Sequence, residues 1–129
     1  MDFSTIFTII LYALLAWFLY TRFGPVKGLN TVSAEEFKEK MSQRGKVVLI
    51  DVRQPDEYKS GYIAPAINIP VGQIQSRLNE INKNKEVLLY CKSGMRSKLA
   101  AKILKKNGYT NLVQLRRGVT GWRWALKHK

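Results

Sequence analysis

The sequence predicts an α/β domain with a mainly parallel sheet flanked by helices on both faces, preceded by one transmembrane helix. Two short apolar runs, at 47–50 and 87–90, read as buried strands. Segments with helical spacing separate them, and buried strands joined by helices imply a parallel sheet covered on both sides. The third observation is an uncharged apolar stretch over residues 3–20, set apart by Gly24 and Pro25. The chain therefore divides into a transmembrane helix (3–20), a linker (21–28) and one domain (29–127).

As a helix, residues 3–20 reach roughly 27 Å, close to the hydrocarbon thickness of a bilayer. Ser4, Thr5 and Thr8 are polar interruptions that a membrane helix tolerates. Trp17 and Tyr20 lie near one end, where interfacial aromatics belong. A buried core helix would show a polar face, which is missing. A cleaved signal peptide would carry basic residues before the apolar run and a small-residue site after it. Asp2 stands in the first place, and Tyr20, Thr21, Arg22 and Phe23 in the second. Arg22 and Lys27 follow the helix, so the positive-inside tendency predicts a single-pass protein of the cell membrane with its domain in the cytoplasm. The single cysteine agrees with a reducing compartment.

Beyond the linker, Thr31 and Val32 form a short extended piece. Ser33 and Glu36 make a capping box, so a helix starts there and runs to about Ser42. After the strand at 47–50, Pro55 opens a short helical turn. Ala66, Ile67, Asn68 and Ile69 form another strand, closed by Pro70. Ile74, Leu78 and Ile81 then keep helical spacing. The next helix spans Ser97 to Asn107, stopped by Asn107 and Gly108. Leu99, Ala100, Ile103 and Leu104 share its core face, and Lys98, Lys102, Lys105 and Lys106 the other. A last strand covers 112–115 and a last helix 119–126.

The formal net charge is +13, from 22 Lys and Arg against 9 acidic residues. Nucleic acid, anionic lipid and small anions all suit such a balance. No helix-turn-helix, zinc-finger spacing or aromatic RNA-binding box is present, so no nucleic-acid partner is expected. For a domain tethered at a bilayer, anionic lipid is a partner that needs no added assumption. The alternative is a solvated basic surface without any partner.

In parallel sheets the ligand site lies beyond the carboxyl ends of the strands. That rule points to Cys91, Lys92, Ser93, Gly94, Met95 and Arg96, between the strand at 87–90 and the following helix. The helix N-terminus offers unpaired N–H groups and partial positive charge. Lys92 and Arg96 add cations, and Gly94 lets the loop curl so that its amides converge. Such surroundings favour a thiolate and make Cys91 a candidate nucleophile. A small buried hydrophobe is the alternative for a free cysteine, and the flanking Lys92, Ser93 and Arg96 argue against it. One cysteine and the one histidine, His128 in a basic tail, do not make a usual structural zinc site, so neither metal nor cofactor is expected.

The segment Cys91, Lys92, Ser93, Gly94, Met95, Arg96, Ser97 resembles the active-site loop of the rhodanese family of sulfurtransferases. Asp51, Val52, Arg53, Gln54, Pro55, Asp56, Glu57 and Tyr58, followed by Gly61 and by residues 66–70, are similar to a second signature of that family. Gly118 and Trp122 fit its C-terminal pattern. The resemblance covers about residues 29–126. Three departures stand out. Tyr62 replaces a frequent histidine, Pro65 a frequent glycine, and Arg117 the first glycine of a pair. Arg117 either adds a cation near the site or faces water.

The resemblance implies a rhodanese-like fold and a double displacement. Cys91 would take the outer sulfur of a small anionic donor such as thiosulfate, become a persulfide, and pass that sulfur to an acceptor that the sequence leaves unidentified. The amides from Lys92 to Arg96 would cradle the persulfide, with Lys92 and Arg96 attracting the donor. Arg96 has an alternative role as the structural partner of a carboxylate such as Glu57. Asp51 and Arg53 are expected to fix loop geometry, and Trp122 to pack the last helix on the sheet. A sulfur carrier or binding module with little turnover is the alternative function. Phosphatases of this fold use a longer C-x5-R loop, where this chain has C-x4-R.

Overall fold

The computed structural model describes residues 2–129. Helix α1 (Phe3–Phe23) begins at Asp2, whose carboxylate accepts the Thr5 N–H at 2.9 Å. It ends at Gly24, whose N–H reaches the Tyr20 carbonyl. The helix thus runs three residues past the predicted span, as far as Phe23. Every side chain from residue 3 to 22 is exposed, and the stretch Phe3–Arg22 is long and apolar enough to cross a membrane.

The domain is a five-stranded, fully parallel sheet. Its strands are β1 (Leu29–Val32), β2 (Val47–Asp51), β3 (Ile67–Asn68), β4 (Glu86–Tyr90) and β5 (Leu112–Leu115), in the spatial order β1-β5-β4-β2-β3. β4 lies in the middle, and its residues from Val87 to Tyr90 are all buried. Burial on both faces explains why that segment is apolar without alternation. Its twofold side-chain period sends Val87 and Leu89 into one core and Leu88 and Tyr90 into the other.

Helix α2 (Ala34–Met41) and helix α3 (Pro55–Ser60) cover one face, where Phe37, Tyr58, Leu88 and Leu115 pack together. The Ser33 hydroxyl accepts the Glu36 N–H and caps α2 as expected. Helix α4 (Met95–Lys106) covers the other face with Ala100, Ala101 and Leu104, beside Ile69, Ile74 and Leu89. Small residues at 100 and 101 let the helix sit close to the strands.

The structure corrects several local expectations. The strand expected over 66–69 is only Ile67–Asn68, because Ala66 and Ile69 turn into the two cores. The helical spacing of Ile74, Leu78 and Ile81 comes from 3-10 turns: Leu78 lies within Gln75–Glu80, Ile81 caps its end, and Ile74 joins it to Val71–Gln73. α4 begins two residues earlier than predicted, and Leu99 faces out rather than into the core. No helix covers 119–126. A 3-10 turn, Gly118–Gly121, is followed by extended chain whose Lys127 bridges Tyr62 in antiparallel fashion. Trp122 packs edge-on against Phe37 at 6.3 Å, so the expected packing role survives without the helix. Its Nε1 is buried with no acceptor among the described residues.

Candidate active site

Cys91 directly follows β4 and shares the α4-side core with Leu89. It is 1% exposed, against the expectation that its polar neighbours would keep it accessible. Those neighbours, Lys92 and Ser93, are exposed instead, so the loop covers the sulfur with its backbone. Gly94 adopts φ +108, a left-handed conformation that favours glycine, and caps α4. Its N–H then points at Cys91 Sγ at 3.0 Å. The Ser97 hydroxyl lies 3.7 Å from the same sulfur. Sulfur, amide and hydroxyl thus converge at the start of α4.

Ser97 belongs to a buried polar chain. Its hydroxyl is 2.6 Å from Gln114 Oε1 and 3.1 Å from the Gly94 carbonyl, two acceptors for one proton. Gln114 Nε2 donates onward to Thr31 Oγ1 at 3.0 Å. Sequence reasoning did not single out Gln114. Its signal was a lone amide within the apolar strand β5.

The loop is clamped from below. Val119 N–H donates to the Cys91 carbonyl at 2.9 Å, and Thr120 N–H to the Lys92 carbonyl at 3.2 Å. Gly118 makes this approach possible. Arg117 before it adopts φ +66, unusual for a residue with a side chain, and is exposed. Tyr62 is buried and stacks on Tyr58 with ring centroids 4.2 Å apart, and the Ala64–Pro65 peptide is cis.

Arg96 does not face Cys91 alone. Its two terminal nitrogens hold both carboxylate oxygens of Glu57, at 2.6 and 3.0 Å. This bidentate pair ties the start of α4 to α3. The Arg96 hydrogen bonds, with the Gln54 N–H, hold the Glu57 carboxyl down at about 2 against a partial opposing effect of burial. Arg53 is likewise structural. It forks onto Asp51 and donates to the Gly61 carbonyl at 2.7 Å, fastening the loop after β2. Burial pushes the Tyr90 phenol up, with the Asp51 carboxylate adding to it, and its oxygen accepts the Ile63 N–H. Of the predicted site residues, the structure brings Gly94 to Cys91, spends Arg96 on Glu57, and leaves Lys92, Ser93 and Met95 exposed on the rim.

Comparison with known proteins agrees with this geometry. The rhodanese-like domain family matches residues 33–125. YqhL of Bacillus subtilis, an uncharacterized protein, is 42% identical over 101 residues, covering 78% of each chain. A sulfurtransferase of Allochromatium vinosum is 34% identical over 94 residues, 73% of this chain and 88% of that one. A rhodanese-like domain protein from Staphylococcus aureus superposes with a TM-score of 0.70 at 32% identity, over 78% of this chain and 98% of the other. A parallel sheet with its cysteine loop at the end of the central strand, matched over nearly the whole domain, places this chain in the rhodanese-like domain family.

Proposed function

We propose that this chain is a sulfurtransferase that carries sulfur on Cys91 and is anchored in the cell membrane by α1. The observation that supports the chemistry best is the Gly94 amide aimed at Sγ from 3.0 Å. A fixed backbone donor in a water-poor site stabilises negative charge developing on sulfur. The Cys91 thiolate attacks the outer sulfur of an anionic donor such as thiosulfate. The donor's S–S bond breaks, sulfite leaves with the electron pair, and Cys91 holds a persulfide. A nucleophilic acceptor, such as cyanide or a thiolate, then bonds to the outer sulfur, and Cys91 departs as thiolate. Lys92 attracts the anionic donor, Ser93 and Met95 form the rim, and the Gly94 amide stabilises the charge on the sulfur. The engagement of Arg96 by Glu57, in a loop one residue shorter than C-x5-R, supports sulfur rather than a phosphoryl group as the cargo.

The full-length chain in detergent, given thiosulfate, is expected to gain the mass of one sulfur atom on the peptide containing Cys91, removable by cyanide. Cys91→Ser should fold and gain none; sulfur uptake by that variant would sink the assignment. Arg22 and Lys27 support a cytoplasmic domain. Protease added to intact cells should leave the domain whole, and digestion there would reverse the orientation.

A further inference from the structure

Beyond Met95 at the rim of the site, the outer stripe of α4 has no part in the sulfur chemistry. Met95, Leu99, Lys102 and Lys106 recur at helical spacing, opposite the core residues Ser97, Ala100, Ala101 and Leu104. Met95 is 56% and Leu99 51% exposed, the two most exposed large apolar side chains outside α1 among the described residues. The stripe meets the last turn of α1. Tyr20, Pro25, Leu99, Lys102 and Lys106 line a cleft of about 630 Å³. Arg22, Met95, Arg96, Leu99 and Lys102 line a second, of about 320 Å³. Lys102 Nζ donates to the Thr21 carbonyl at 3.0 Å, and Lys105 Nζ to the Lys27 carbonyl at 2.8 Å. These bonds hold the stripe level with the end of α1. They satisfy donors without neutralising charge, because carbonyls are neutral. No acidic residue occurs in α4, between residues 3 and 34, or after Glu86.

We infer that this stripe is the surface on which the domain rests against the anionic headgroups of the leaflet that α1 enters. The inference rests on the reading of α1 as a membrane span. An apolar pair framed by lysines is the composition of a helix lying in a bilayer interface, where aliphatic parts sink and ammonium groups meet phosphate. The charge is complementary to an anionic leaflet. The surface is also continuous with the helix that enters the bilayer, so docking needs no search. Tyr20 and Arg22 mark the interfacial depth of α1, and Leu99 and Lys102 share clefts with them.

The test uses the full-length chain in vesicles. Cys91→Ser combined with Leu99→Cys leaves one thiol, on the stripe, for an environment-sensitive fluorophore. Cys91→Ser combined with Gln43→Cys reports from an exposed position beyond α2, in the opposite layer. The vesicles are phosphatidylcholine alone, or with about 30% phosphatidylglycerol to supply anionic charge. Flotation and resistance to alkaline carbonate first establish whether α1 inserts. The expected result is a blue shift and loss of aqueous quenching for the probe at 99 on anionic vesicles only. The effect should disappear at about 1 M salt, where screening cuts electrostatic reach to about 3 Å. The probe at 43 should not respond. Lys102→Gln and Lys106→Gln should each lower the docked-to-free ratio about fivefold. A chain that inserts, yet leaves position 99 equally quenchable on both vesicles, overturns the docking and spares the span. Equal shielding on both vesicles, indifferent to salt, also overturns it, since protein rather than lipid then covers the stripe. A chain that fails to insert removes the span and the inference with it.

Discussion

Gly118 lies so close beneath Cys91 that a side chain there would run into the Cys91 carbonyl. The added Cβ would also stand 2.6 Å from the Lys92 carbonyl, and the residue's φ of +56 is left-handed. Backbone presses on backbone here, so no side chain is available to yield. Gly118→Ala is expected to cost on the order of 1–3 kcal/mol. By shifting the loop it should also slow sulfur uptake at least about tenfold. Gly72→Ala, where a Cβ meets nothing within 4 Å, should change stability by no more than about 0.5 kcal/mol. Thermal unfolding and the rate of persulfide formation check both.

Glu57 gives a pH signature. Its carboxyl titrates at about 2 in the fold against an ordinary 4.5, held down first by Arg96. A depressed folded value means that its contribution is complete above the unfolded value and lost as pH falls. The stability difference between the native chain and Glu57→Gln should therefore be constant above 4.5 and shrink as pH falls toward about 2. Denaturant midpoints measured across that range check it. A difference that grew on acidification would contradict the ion pair with Arg96.

Gln114 positions Ser97 without touching the sulfur. Gln114→Leu removes the acceptor 2.6 Å from the Ser97 hydroxyl and the donor to Thr31. The expected destabilisation is about 0.5–1.5 kcal/mol, because Ser97 keeps the Gly94 carbonyl as acceptor and the exposed Thr31 hydroxyl turns to water. Sulfur transfer should fall while thiosulfate KM stays near its native value, because the rim is untouched. Steady-state kinetics separate this from a general loss of folded protein.

Arg117 tests the basic rim. Its left-handed backbone is one that glycine adopts without strain. Arg117→Gly should raise stability by up to about 1 kcal/mol. If the side chain only faces water, thiosulfate KM will stay within about twofold, whereas a several-fold rise would give Arg117 a part in attracting the donor.

The strands and the cysteine loop were legible because their signals are local. The apolar runs at 47–50 and 87–90 sit in central strands, and Gly94 sits where the loop must curl. What the sequence concealed depends on distant neighbours. Leu99 has the spacing of a core residue, yet α4 meets the sheet through Ala100 and Ala101 and turns Leu99 outward. Residues 119–126 look helical, but Trp122 is drawn to Phe37 and Lys127 to Tyr62, and neither attraction leaves a periodic trace. The two roles weighed for Arg96 were separated only by Glu57, which stands 39 residues away in the chain. Gln114 belongs to no motif, because what gives its amide a role is Ser97 and Thr31, both distant in the chain.

The 1% exposure of Cys91 governs which sulfurs it meets. A disulfide requires two sulfurs about 2.05 Å apart. Two copies crowded side by side would each bring a thiol recessed beneath its own loop, and folded surfaces touch before those sulfurs do. The chain is thereby guarded against cross-linking to itself under oxidation, even with no second cysteine to resolve it. Only a slender molecule, or a thiol carried on a projecting arm, reaches down to it.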